Sequence, residues 1–130
     1  MKLETLLPGE AQGETLKLSA PISFWGGVDP KTGNIIDARH PERGQSIADK
    51  ILVLPGTIGS SSASAVLLEL VHANRAPAAI IMPEPDAILL LGLVVAREMG
   101  WAIPPAFKAS VDDQKKLGST AVFEADGAVR

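Results

Sequence analysis

The sequence predicts a mixed α/β domain, and three features predict it. From Lys50 onward, short apolar runs alternate with longer stretches of helical periodicity. Before Lys50 the chain is rich in glycine and turn residues, and its apolar positions alternate every second residue. At 130 residues, with 46% hydrophobic and 21% charged side chains, it has the length and apolar content of one domain (1–130) with a sizeable core. Strands that are apolar throughout and separated by helices belong to a parallel sheet covered on both faces. The alternating front third points to antiparallel pairing, so two sheet regions are expected.

The elements follow in order. Met1–Gly13, with Pro8, Gly9 and glutamates, is expected to form a loose edge. From Glu14 to Ala20, Leu16, Leu18 and Ala20 fall on one side, the pattern of a half-buried strand. Pro21–Gly33 reads as a loop, although it carries Phe24 and Trp25. Ile35 and Ile36 mark a short second strand ahead of the polar loop Arg39-His40-Pro41-Glu42-Arg43-Gly44. Lys50–Leu54 is a buried strand. Residues 61–73 form a helix with Ala63, Val66, Leu67, Leu70 and Val71 on one face. A strand over 78–82, a helix over 86–99 ended by Gly100, and a strand near 102–107 come next. A short helical piece, Asp112–Leu117, precedes a last strand, Thr120–Glu124.

Composition narrows the function classes. A net charge of −3, a pI near 5.3 and scattered basic residues argue against nucleic acid, which needs a basic face. The most apolar stretch, Ala87–Ala96, is bounded by Asp86 and Arg97 and falls short of the ~18 residues of a membrane span. Met1-Lys2-Leu3-Glu4-Thr5 lacks the apolar core of a signal peptide, so a cytoplasmic location is expected. Without cysteine there is no disulfide and no thiolate ligand, and two histidines, His40 and His72, are too few for a zinc site. No metal is expected on this chain; a cluster used in its function must sit on another polypeptide.

The functional clue is Gly59-Ser60-Ser61-Ser62-Ala63-Ser64, between the strand at 50–54 and the helix at 61–73. Serines at that junction bring hydroxyls and free backbone N–H groups to a helix N-terminus, which favours anions and stabilises a forming negative charge. Such a hydroxyl can bind a carboxylate, or lose its proton and act as a base. Helix capping by Ser60 or Ser61 is the alternative, but one cap accounts for one serine, not for four. No Gly-Lys-Ser/Thr ending follows, so this is no nucleotide loop. Ser23-Phe24-Trp25-Gly26-Gly27-Val28-Asp29 is a second candidate, with accessible glycine backbone after two aromatics, although aromatics usually belong to a core. His40 has no visible partner for a base, His72 suits a helix C-terminus, and Glu84 and Asp86 suit a helix start.

Several of these strings resemble one family. Pro21-Ile22-Ser23-Phe24-Trp25-Gly26-Gly27-Val28-Asp29-Pro30-Lys31-Thr32-Gly33, Ile35-Ile36-Asp37, His40-Pro41, Lys50-Ile51-Leu52-Val53-Leu54-Pro55, Gly59-Ser60 and Arg75-Ala76-Pro77-Ala78-Ala79-Ile80-Ile81 are similar to the small subunit of the aconitase X family. The resemblance covers about residues 15 to 100. It implies a swivelling β/β/α domain that closes over a large subunit carrying cysteines and an iron–sulfur cluster or metal, and a reaction that removes water from a hydroxy acid. It implies that Ser60, in the Gly-Ser step, takes the substrate proton; beside it, Gly59, Ser61, Ser62, Phe24, Trp25 and Gly26 are the expected substrate contacts. Bacterial members of the family dehydrate cis-3-hydroxy-L-proline, and archaeal members dehydrate mevalonate 5-phosphate. Archaeal loops carry an arginine before the Gly-Ser pair where this chain has Ile58, so the resemblance favours the hydroxyproline substrate. A binding module for small carboxylates without chemistry, and a purely structural swivel, are the competing readings.

Overall fold

A computed structural model describes residues 1–130. Six strands and four helical segments follow one another as β1 (Glu4–Leu7), β2 (Ala11–Lys17), α1 (Phe24–Gly27), β3 (Ile51–Val53), α2 (Ala63–His72), β4 (Ala79–Met82), α3 (Ala87–Glu98), β5 (Ala106–Lys108), α4 (Val111–Gln114) and β6 (Thr120–Phe123). The strands join in the order β1-β5-β4-β3-β2-β6. The pairs β2–β3, β3–β4 and β4–β5 are parallel, whereas β1–β5 and β2–β6 are antiparallel. The domain is therefore α/β, with a mixed parallel and antiparallel sheet.

Alternation within β3 and β4 divides the core. Leu52, Leu54, Ile80 and Met82 point to one side, where they meet Val66, Leu67 and Leu70 of α2 and Leu89, Leu93 and Ala96 of α3. Ile51, Val53, Ala79 and Ile81 point to the other side, against Phe107, Leu117, Ala121 and Phe123. The Phe107 and Phe123 rings stack with centroids 5.0 Å apart. Because both faces are covered, β3 and β4 are buried at every position, and their sequences are apolar throughout.

The two sheet regions expected from the sequence are joined through β2. Its residues Ala11–Glu14 pair with β6, and Thr15–Lys17 pair with β3. The expected loose edge at Met1–Gly13 is corrected: it contains β1 and the start of β2. Leu3 and Leu7 are buried there, and Glu4 and Thr5 pair with Lys108 and Phe107 across the chain, which local sequence does not reveal. The strand placed near 102–107 begins later, at Ala106, since Pro104 and Pro105 have no N–H for a ladder. Ile35 and Ile36 form no strand; the segment is held by the isolated bridges Val28↔Ile35 and Asn34↔Ser46.

The two long helices lie against each other, and one residue sets their approach. A Cβ on Gly92 of α3 would come within 2.6 Å of the Ser64 carbonyl oxygen in α2. On an exposed helix face, Gly→Ala stabilises by roughly 0.5–1 kcal/mol. At this crossing the added methyl must push backbone aside, and overpacking costs about 1–3 kcal/mol. Gly92→Ala is therefore expected to lower the urea midpoint. A midpoint equal to or above that of the parent would show that the helices do not touch at Ser64.

Candidate active site

The serine loop leaves β3 at its carboxyl end and enters α2. In a parallel sheet that edge collects the helix N-termini, and ligands are bound there. The loop's root is fixed: Leu54 is fully buried, and its carbonyl accepts from the buried Gln114 side chain at 2.7 Å. Farther along, Ile22 bridges Thr57 in parallel fashion, and the Ile58 N–H donates to the Ile22 carbonyl at 3.1 Å. Thr57 Oγ1 donates to Asp86 Oδ2 at 2.7 Å. The other carboxylate oxygen of Asp86 accepts from the Leu89 N–H at 3.1 Å and so caps α3.

Ser60 is partly exposed, Gly59 and Ser61 are exposed, and Ser62 is partly exposed. Neither Ser60 nor Ser61 caps α2 in the usual way. The N-cap is Ser62, and its hydroxyl makes no capping bond. Instead the Ser62 N–H donates to Ser60 Oγ at 3.2 Å, and the Ala63 N–H donates to the Ser60 carbonyl at 3.1 Å. Ser64 Oγ reaches back to the Ser61 carbonyl at 3.5 Å. Ser60 Oγ is thus an acceptor from backbone, at the positive end of a ten-residue helix. The bond is a local serine turn that leaves the Ser60 hydroxyl hydrogen uncommitted at the start of α2.

The Ile22–Thr57 bridge also brings the second candidate segment beside the first. α1 is an irregular turn, with Trp25 at ψ 115° and Gly26 at φ 79°, a conformation that glycine adopts without strain. Trp25 and Gly26 are exposed, the indole at 62%. Phe24 requires a correction: it is 1% exposed and packs in the main core, so its ring anchors the turn and cannot meet a substrate. The two segments therefore contribute Gly59, Ser60, Ser61, Ser62, Trp25 and Gly26 to one exposed edge, with Phe24 beneath.

The remaining candidates lie elsewhere or are occupied. His40 is buried, its Nδ1 accepts from the Glu42 N–H at 3.1 Å, and its Nε2 lies 3.0 Å from the Ala20 carbonyl. A backbone N–H can only donate, so Nδ1 is unprotonated and Nε2–H donates to Ala20; neither nitrogen is free for chemistry. Glu42 in turn binds the Ser19 hydroxyl, with Oε2 at 2.8 Å. His72 ends α2 and packs at a tilt of 37° against Trp101, with ring centroids 4.7 Å apart. Sequence reasoning missed the Thr57–Asp86 pair and Gln114. Asp86 directly before an apolar helix was a visible cap signal; nothing local marks Thr57 or Gln114 as its partner or the loop's anchor.

The aconitase X swivel domain profile matches residues 1–129. The chain belongs to the aconitase X swivel family. The holo-form crystal structure of Thermococcus kodakaraensis aconitase X superposes on this swivel domain with a TM-score of 0.84 and 37% identity, over 98% of this chain and 93% of that one. The cis-3-hydroxy-L-proline dehydratase of Pseudomonas aeruginosa is 48% identical over 103 residues, 78% of this chain and 18% of the relative. The phosphomevalonate dehydratase small subunit of Thermococcus kodakarensis is 44% identical over 96 residues, 74% of this chain and 72% of the relative. This aconitase X swivel domain thus spans under a fifth of the first relative's length and most of a small subunit's. No helix in it is long and apolar enough to cross a membrane. No three His, Cys, Asp or Glu side chains stand together as a metal site, and there is no cysteine, so its residues do not fit an iron–sulfur cluster.

The two hydrogen bonds of His40 assign it a structural role in this swivel domain, clamping the 37–45 loop onto Ala20. His40→Leu leaves a partly buried carbonyl and a partly buried backbone N–H unpartnered and is expected to cost about 1–2 kcal/mol, read by chemical denaturation. Activity per folded molecule should persist. A large drop in turnover at unchanged stability would return His40 to the catalytic candidates.

Proposed function

We propose that this chain is the small subunit of a hydro-lyase that dehydrates cis-3-hydroxy-L-proline, with Ser60 as the proton-abstracting base. The observation that carries the reading is the hydrogen bond from the Ser62 N–H into Ser60 Oγ at the start of α2. It stabilises the oxygen as it becomes an acceptor of substrate hydrogen. Dehydratase names among the relatives support the reaction class.

In this reading Ser60 Oγ, in its deprotonated form, takes the hydrogen on the α-carbon, and the electrons of that C–H bond form the ring double bond. The bond from the neighbouring carbon to its hydroxyl breaks, the leaving hydroxide takes a proton from solvent and departs as water, and a pyrroline-2-carboxylate remains. Ser61 and Ser62 receive the substrate carboxylate through hydroxyl and backbone donors, while Gly59 and Gly26 keep the approach open. No basic side chain lies within Gly56–Ser64, so further positive charge comes from a partner. An iron–sulfur or metal centre is likewise assigned to a large aconitase X subunit, and no step is routed through one on this chain. The small-subunit names of relatives support that partner. Its contact is assigned to the apolar residues that flank the serine loop: Trp25, Ile36 and Ile58, which are 62%, 49% and 55% exposed.

Ile58 also favours the hydroxyproline substrate, since an apolar side chain beside Ser60 offers nothing to a phosphate. Turnover of mevalonate 5-phosphate in place of cis-3-hydroxy-L-proline would assign the alternative substrate. Ser60→Ala in the complex with the large subunit is expected to reduce turnover by about 10²–10⁴-fold at unchanged thermal stability. Near-normal turnover would reject Ser60 as the base. Trp25→Ser should weaken assembly with the large subunit by at least tenfold, measured by titration calorimetry; unaltered affinity would move the interface elsewhere.

A further inference from the structure

We propose that Thr57 and Asp86 are positioning residues for Ser60, acting through the 2.7 Å hydrogen bond between them. The inference rests on Ser60 being the base. Ser60 lies between two fixed points. On one side the Ala63 N–H holds the Ser60 carbonyl to the start of α2. On the other, the chain is last fixed at Thr57 and Ile58, and only Gly59 intervenes. Gly59 is exposed, and a Cβ built on it would meet nothing within 4 Å, so no packing steers the chain there. The Ile22–Thr57 bridge and the Ile58 N–H bond to Ile22 hold the loop through its backbone on the Ile22 side. The Thr57 side chain supplies a second attachment, and it is made to a rigid body.

Asp86 is that rigid body's corner. One carboxylate oxygen caps α3 at the Leu89 N–H, and the other holds Thr57. α3 in turn lies hard against α2 where Gly92 meets Ser64, four residues beyond Ser60. Asp86 therefore ties the loop preceding Ser60 to the same helix pair that carries the turn following it. A bond to an ionised acceptor is among the stronger hydrogen bonds, which suits a tether in a partly exposed loop. A displacement of the base by about 1 Å is enough to cost on the order of 10²-fold in rate.

Four single substitutions and one double variant in the complex with the large subunit test this. Thr57→Val keeps the branched shape and removes the hydroxyl. Asp86→Ser keeps an α3 cap but is too short to reach Thr57. Each should lower kcat by roughly 10–100-fold with KM and subunit affinity unchanged. The double variant should lose no more than either single one, because both cut the same bond. Thr57→Ser keeps the hydroxyl, and Asp86→Asn keeps the cap through Oδ1 while its Nδ2–H donates to Thr57 Oγ1 in place of the native bond, so both should keep most of kcat. Full kcat in Thr57→Val and in Asp86→Ser, with Ser60→Ala inactive, overturns the positioning role and leaves the base assignment standing. Near-normal kcat in Ser60→Ala overturns both. Should Thr57→Val fail to fold, the Asp86→Ser and Asp86→Asn pair decides on the same terms. A loss of stability or assembly without a kcat change reduces the pair to scaffold and overturns the inference.

Discussion

Burial of β3 and β4 on both faces is the constraint on which the rest of this domain depends. Every residue from Ile51 to Val53 and from Ala79 to Met82 is withdrawn from water. Parallel strands cannot be joined by a tight turn, so each must hand the chain to a crossover that returns over one face. α2 is the crossover from β3 to β4, and α3 that from β4 to β5. Their N-termini are consequently delivered to the same sheet edge. The serine loop and the Asp86 cap are neighbours because of topology, before any side chain makes a specific contact.

Energetics at that edge are local and polar where the core below is apolar. Ser60 receives a backbone N–H, Thr57 is tethered to a carboxylate, and Leu54 is held from beneath by Gln114. Phe24 fills the core under the adjoining turn while Trp25, its neighbour, stands in solvent. This edge exposes Trp25, Ile36 and Ile58 beside four partly or fully exposed loop residues, with no basic side chain in the loop. The relatives differ in length in the same sense: this chain spans a fifth or less of two dehydratases and about seven-tenths of a small subunit.

Much of the fold was legible because its signals are local. Leu67 and Leu70 fall on a helical face, and the run Ile51–Leu54 has no polar interruption to suit a half-exposed strand. The N-terminal thirteen residues were misread for the opposite reason. Glu4 and Thr5 find their partners at Lys108 and Phe107, and pairing over that separation leaves no periodic trace in so short a strand. Phe24 and Trp25 are adjacent and chemically alike, yet one is core and the other surface. The irregular turn at Gly26 separates them, and aromatic character alone could not.

The sequence by itself determined the alternation of strand and helix, the absence of thiolate ligands, and the placement of serines where a strand hands over to a helix. These follow from residue type and from spacings of two to four, which the backbone's own periodicity reads directly. Only the tertiary structure decided that Ser60 accepts from Ser62 instead of capping α2, that His40 is occupied at both nitrogens, and that Asp86 reaches back to Thr57. The Ala20–His40 and Thr57–Asp86 contacts join positions 20 and 29 residues apart, and the Ser60–Ser62 and His40–Glu42 bonds depend on the turn each short segment is held in. They arise from how the two helices settle against the sheet, and no local pattern encodes that.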